Sequence, residues 1–209
     1  MDSVSSQPGS GSRLDRRKQE TRARILEAAV ELFGEVGFDA TKISDLCERA
    51  DVARQTFFNH FPAKSDLLAE LYRVGEDWIS TTLDSAFERG ASTRDRLRLF
   101  FTDSITAAIE VGPANRDLVA HVVHSRPDPD RAQQLQHIFA LFQGFVRRCL
   151  AGGDVTRRHP PEVLAQLLQG ALGALMIDWG ERGGFDPKRR AAELAALVAD
   201  AFEIRPEER

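Results

Sequence analysis

Cysteine is scarce in this chain: 209 residues contain only Cys47 and Cys149. Two thiols cannot build a disulfide framework or a four-cysteine zinc site, and each falls on the apolar stripe of an expected helix. Buried free thiols follow. No uninterrupted stretch of 18 apolar residues occurs, so no membrane span is expected. Alternating apolar and polar residues never run for four or more positions, which leaves no strand pattern. No internal repeat is visible. The motifs of several enzyme classes are also missing: there is no glycine-rich phosphate loop, no G-x-S-x-G and no H-E-x-x-H. An enzyme is therefore not expected, nor a cofactor. Residues 1–12 are rich in Ser, Gly and Pro and lack an apolar centre. They read as a disordered tail, taken to residue 14, rather than a secretory signal. Together these features imply the cytoplasm.

What is present is a chain with 42% hydrophobic and 29% charged residues and a formal net charge of −4. A net negative chain does not coat nucleic acid, but the charge is uneven. Arg13, Arg16, Arg17, Lys18, Arg22 and Arg24 face only Asp15 and Glu20 in the same stretch. Such a basic arm predicts a local anion-binding surface.

Apolar residues recur at three, four and seven throughout, so the fold is expected to be all-α with about nine helices. The first runs from about Arg16 to Glu35, with Gly37 just past its end. A short helix follows Thr41, which has the chemistry of an N-cap. A third covers about Arg54 to His60, before Pro62. The fourth runs from Lys64 to about Arg89 and the fifth from about Arg94 to Val111. The sixth spans about Ala114 to His124, the seventh Asp130 to Leu150, and the eighth Pro161 to Arg182. The ninth opens at Pro187 and ends near Ile204. The helices before Lys64 are short with tight turns, and those after it are long. The division expected is a head over residues 15–63 and a larger helical domain over 64–209.

The short helices between Thr41 and Phe61 are joined by a three- or four-residue turn at Asp51 to Ala53, the size of a helix-turn-helix connection. The second would enter a major groove about 12 Å wide. Arg54 and Gln55 stand at its start, where such helices meet base edges. Arg can fork onto guanine and Gln onto adenine. Thr56, Asn59 and His60 can reach phosphates. Thr41 and Lys64 sit at helix N-termini that favour phosphate. Phe57 and Phe61 would anchor the helix. The basic residues Arg17, Lys18 and Arg22 extend the same surface. A helical hairpin with a solvated polar face has the same spacing, so the pattern alone leaves both readings open.

The stretch from Arg22 to Leu68 resembles the N-terminal domain of the TetR family of transcriptional regulators. The likeness is carried by Ile25, Leu26, Ala28, Ala29, Leu32, Phe33, Gly37, Phe38 and Thr41, then Ile43, Leu46, Ala50 and Val52. It continues through Thr56, Phe57, Phe58, His60 and Phe61 to Lys64, Leu67 and Leu68. The resemblance implies a homodimer whose two heads read the halves of a palindromic operator, and an effector in the C-terminal domain that releases the DNA. Four positions depart. Asp51 stands where the family has a turn glycine, and Ala53 and Ala63 stand where it has serine caps. Phe58 replaces a tyrosine whose hydroxyl reaches a phosphate, which leaves Phe58 a weaker member of the contact set.

In the C-terminal part, the eighth helix carries Leu164, Leu168, Leu172 and Leu175, and the ninth Leu194, Leu197, Val198 and Phe202. The resemblance implies that these pair with their symmetry mates as an isologous four-helix bundle. Candidates for lining an apolar effector pocket are Trp78, Phe101, Ile105, His121, Phe139, Phe142, Met176 and Trp179. His121 and His124 are three apart on one helix, but no Cys or carboxylate completes a set, so no metal is expected. Operator DNA, a second copy of the chain and a small effector are the partners expected, with no membrane. A helical ligand-binding or enzymatic protein, and a DNA-binding regulator without effector, are the alternatives.

Overall fold

The computed structural model describes residues 13–111, 129–181, 184 and 186–203. Eight helices occupy them: α1 Arg13–Val36, α2 Ile43–Arg49, α3 Arg54–His60, α4 Lys64–Arg89, α5 Thr93–Val111, α6 Pro129–Gly152, α7 Pro161–Glu181 and α8 Pro187–Phe202. The described residues contain no strand. The expected sixth helix, about Ala114 to His124, lies outside them, so the expected seventh to ninth are α6 to α8. The basic arm is helical from Arg13, three residues earlier than its pattern predicts.

Two apolar clusters organise the chain. In α1, Ile25, Ala28, Ala29, Leu32 and Phe33 recur at helical spacing and are buried against Leu46 and Cys47 of α2, Phe57 of α3, and Phe61. This head cluster also takes in Leu67, and Leu71 packs against it. The first two turns of α4 therefore pack with the head, beyond the boundary drawn at Lys64. From Ile79 onward α4 belongs to the second cluster, with α5, α6, α7 and α8. A 26-residue helix rises about 39 Å, so α4 is the rod joining the two cores.

Local chemistry fixes the ends of these elements. Gly37 closes α1 with φ 83°, and its N–H donates to the Phe33 carbonyl at 3.1 Å. Asp186 caps α8: its carboxylate accepts from Lys188 N at 3.0 Å and Arg189 N at 3.2 Å, ahead of Pro187 in the first turn. At the N-terminus of α5, Thr93 donates through N and Oγ1 to the two oxygens of Asp154, at 2.5 and 2.7 Å. Thr156 N donates to the Phe202 carbonyl at 2.8 Å. These bonds tie α5, the α6–α7 loop and the end of α8 together.

Helix α7 corrects one expectation. Leu164, Leu168, Leu172 and Leu175 lie inside the subunit, as do Val198 and Phe202 of α8, all in the body cluster. They face this chain's own core rather than a partner. The large apolar residues of α7 and α8 that remain outside are Val163 at 48% exposure, Leu167 at 38% and Leu197 at 63%. Leu194 packs at the edge of the cluster. By length and a mean hydropathy of 1.2 over Pro161–Gly180, α7 is also the one described helix apolar enough to cross a membrane. Of that window 39% is buried inside the chain, its leucine stripe included.

Candidate nucleic-acid interface

The reading helix is built on two buried rings. Phe57 and Phe61, four apart, are buried with centroids 6.2 Å apart, and this fixes which side of α3 faces the head cluster. The opposite side presents Arg54, Gln55 and Asn59 to solvent, with Thr56 half-buried. Gln55 Nε2 donates to Asn59 Oδ1 at 3.2 Å, which holds the two amides one turn apart on a common face. The Arg54 guanidinium lies 5.7 Å from the Phe58 ring centre. Phe58 is half-buried and stands edge-on to Phe57 at 5.5 Å, so it props up Arg54 rather than projecting by itself. A cleft of about 390 Å³ runs between Lys42, Ser44 and Arg54. The sequence reading passed over Lys42, although a lysine next to a helix start carries the same charge logic as Lys64.

The turn shows the strain that its composition predicts. Asp51 has φ 50°, and it is the sole non-glycine with positive φ among the described residues. Its N–H donates to Glu48 O at 3.2 Å and Val52 N to Cys47 O at 3.0 Å, so these two backbone donors of the turn are satisfied. A left-handed residue with a Cβ is costly, though least so for Asp and Asn. Ala53 begins α3 in extended conformation and makes no side-chain cap. Ala63 begins α4 without one as well, but its N–H donates to Asp66 Oδ2 at 2.8 Å, which supplies half of a capping box.

Two expected phosphate contacts, Thr41 and Lys64, are engaged inside the head instead, and a third, Arg22, divides between head contacts and the cleft between α1 and α3. Thr41 is 2% exposed, and its hydroxyl donates to Gly37 O at 2.8 Å. Its hydroxyl faces the end of α1, and the cap position of α2 falls to Lys42, which makes no side-chain bond there. Lys64 Nζ donates to Phe38 O at 2.6 Å, Thr41 O at 2.9 Å and Asp39 O at 3.3 Å, and lies 4.4 Å from the centre of the Phe38 ring. An ammonium has three protons, and those three carbonyls take them. Arg22 spans three elements: Nη1 donates to His60 O at 3.3 Å, Nη2 meets Glu70 Oε1 at 3.3 Å, and Cζ lies 4.3 Å from the Phe61 ring centre. Motif reading cannot see the partners of Lys64 and Arg22, because each lies 23 to 48 residues away in sequence.

Arg17 and Lys18 are exposed on α1. Glu70, unforeseen, is shared by Arg22 and Arg73, and the Arg73 hydrogen bond first and then the nearby guanidinium charges lower its pKa. His60 is half-buried; burial, then the charges of Lys18 and Arg22, lower its pKa below the usual histidine value.

The body brings the effector candidates together. Phe101, Ile105, Phe142 and Trp179 are members of its cluster, and Trp78, Phe139 and Met176 pack against it. Phe100 meets Phe142 edge-on at 5.8 Å. His121 lies outside the described residues, as does His124. The cleft of about 540 Å³ lined by Leu150, Arg157, His159 and Pro161 is elsewhere, beside the α6–α7 loop.

A buried-ring helix with an outward Arg, Gln and Asn, set behind a basic helix and carried on a long rod, defines a helix-turn-helix transcriptional regulator that binds DNA. Residues 25–71 match the family model described as bacterial regulatory proteins, tetR family. Over those residues the chain is similar to the TetR family. It is 24% identical over 214 residues to the HTH-type transcriptional regulator AcrR of Shigella flexneri, covering 90% of this chain and 92% of that one. It is 26% identical over 139 residues to the HTH-type transcriptional repressor KstR of Mycolicibacterium smegmatis, covering 66% and 67%. Among solved structures, the regulator FadR from Bacillus subtilis in complex with stearoyl-CoA superposes with TM-score 0.73 at 16% identity. It covers 87% of this chain and 99% of that one. The ketosteroid regulator KstR2 of Mycobacterium tuberculosis gives 0.64 at 17%, covering 88% and 95%.

Proposed function

We propose that two copies of the chain repress transcription by occupying a palindromic operator, and that a small apolar molecule entering the body releases them. On this reading the protein is not an enzyme and works beside the DNA in the cytoplasm. The observation that carries it is the exposed Arg54, Gln55 and Asn59 face of α3, held by rings buried on its other side. Arg54 and Gln55 read bases, and Thr56, Asn59 and His60 hold backbone. Lys42, Arg17 and Lys18 add charge around them.

The pairing surface on this reading is the outer side of α7 and α8, Val163, Leu167 and Leu197. At Gly170 and Gly173 a built Cβ would meet no atom within 4 Å, so a second helix has room to approach. The aromatic body suits an apolar effector, and one relative of this fold was solved with stearoyl-CoA.

The test is selection of duplexes from a random pool, followed by gel shift with and without a long-chain acyl-CoA as the first apolar probe. A palindrome should emerge, and Arg54→Ala should relax discrimination at one base pair by about 1–3 kcal/mol. No enriched duplex at low salt sinks the reading. Enriched duplexes that no apolar probe displaces remove the effector from it. Leu197→Glu should give monomers by light scattering, and a persistent dimer would move the interface elsewhere.

A further inference from the structure

We propose that the cleft between α1 and α3 seats one DNA backbone phosphate, and that filling it makes each head take up a proton at His60. The proposal rests on the DNA-binding reading and adds a site and a proton to it. The cleft measures about 360 Å³ and is lined by Asp15, Lys18, Gln19 and Arg22 of α1 with Asn59 and His60 of α3. Its two cations and three further side-chain nitrogen groups suit an oxyanion with several acceptor oxygens. It lies at the C-terminal end of α3, away from Arg54, so its occupant would be backbone rather than a base edge.

The charges around His60 decide what the seat does. Lys18 and Arg22 face it from α1, and Asp15 is the one acid among the lining residues. From α4, Glu70 reaches the site only through Arg22, whose Nη2 it meets at 3.3 Å. Arg22 Nη1 is also held by the His60 carbonyl at 3.3 Å, so this cation cannot swing away from the ring beside it. Cationic neighbours and partial burial keep the free imidazole neutral to lower pH than usual. A backbone phosphate seated among the same groups adds a negative charge beside the ring and offsets part of that cationic field. The bound state then holds the proton over a pH window in which the free state does not. By linkage, affinity rises as pH falls through that window.

The experiment uses the full chain and two duplexes, one of mixed unselected sequence and one enriched by the wild-type protein, at fixed ionic strength. Affinity should rise as pH falls between about pH 8 and pH 5.5, by up to about tenfold per unit and per head. His60→Gln keeps a donor for the phosphate and should flatten that slope at both duplexes. Lys18→Ala should lower the slope of log affinity against log salt by about 0.9 per head. Histidine ring NMR on the unmodified protein should show the His60 titration moving up when DNA binds. A flat wild-type slope, an unaltered slope in His60→Gln or an unmoved His60 titration overturns the proposal, the last even where the variant misfolds. Failure of both duplexes to bind at any pH defeats the DNA reading itself and the proposal with it.

Discussion

The head and the body bury their apolar residues by the same rule but leave different traces in sequence. In the head, the short helices α2 and α3 and their turns force nearly every position to a single role: Leu46 packs, Gly37 turns, Phe57 and Phe61 anchor, Arg54 and Gln55 project. In the body, long helices bury broad faces, and a given leucine has several places to go. Leu168 and Leu167 are neighbours of the same type on α7. One is buried and the other is 38% exposed. The difference teaches that spacing identifies a function where the element is short, and only a fold class where it is long.

The largest expected effect tests whether these are two cores. Phe57→Ala in the head and Phe142→Ala in the body each remove a fully buried ring, at about 3–5 kcal/mol. Because α4 alone runs through both clusters, Phe57→Ala should abolish DNA binding and melt the head early. The body's helical signal should survive to a higher temperature. Phe142→Ala should lower the later transition. A single transition shifted equally by both variants, followed by circular dichroism, would merge the two regions into one cooperative unit.

Legibility in the sequence followed the same division. The α1 stripe, the turn at Asp51, the reading face of α3 and the bounds of α4 were all open to pattern reading. Each depends on residues within a few turns of one another. The roles of Thr41, Lys64 and Arg22 were not. Lys64 and Arg22 point at carbonyls and a carboxylate brought near by tertiary packing, and nothing local to Lys64 announces Phe38 O; Thr41 bonds back to Gly37 O only four residues away, a local contact that its N-cap chemistry concealed. In the body, the fault lay in choosing between two sides of α7. A helix covered by its own core on one face and apolar on the other has too little periodicity to tell the two apart.

A smaller effect probes the body's connection to the rod. A Cβ built on Gly90, between α4 and α5, would lie 2.5 Å from Arg96 Cγ and 2.7 Å from Arg96 N. The second contact is backbone, and Arg96 is fixed further by its Nε bond to Gly90 O at 3.2 Å and by stacking on Phe87. Gly90→Ala should therefore cost about 1–3 kcal/mol by displacing the first turn of α5. Unchanged thermal stability would mean that the joint is softer than its contacts indicate.

Lys64 sharpens the comparison from the head's side. If its ammonium caps the α1–α2 loop, Lys64→Met leaves three carbonyls short of a donor and should destabilise the head by about 1–3 kcal/mol. The salt slope of DNA binding should stay nearly unchanged, since the charge was committed internally. A slope reduced by about 0.9 per head with unaltered stability would return Lys64 to the phosphate contacts.

The smallest effect concerns Asp51. Its φ of 50° is a conformation that glycine adopts without a Cβ penalty, and its side chain is fully exposed, with only a 3.9 Å pairing to Arg24. An exposed pair at that distance stabilises very little. Relief of the left-handed strain, partly offset by glycine's greater unfolded-state entropy, should make Asp51→Gly more stable by about 0.5 kcal/mol. The same change deletes a negative charge from the turn that enters the helix facing DNA, so affinity should rise as well. Asn separates the two causes, because it tolerates the left-handed region yet carries no charge. Asp51→Asn should reproduce the gain in affinity without the full gain in stability. If only Asp51→Gly binds DNA more tightly, it is the shape of the turn, rather than its charge, that sets how α3 meets the groove.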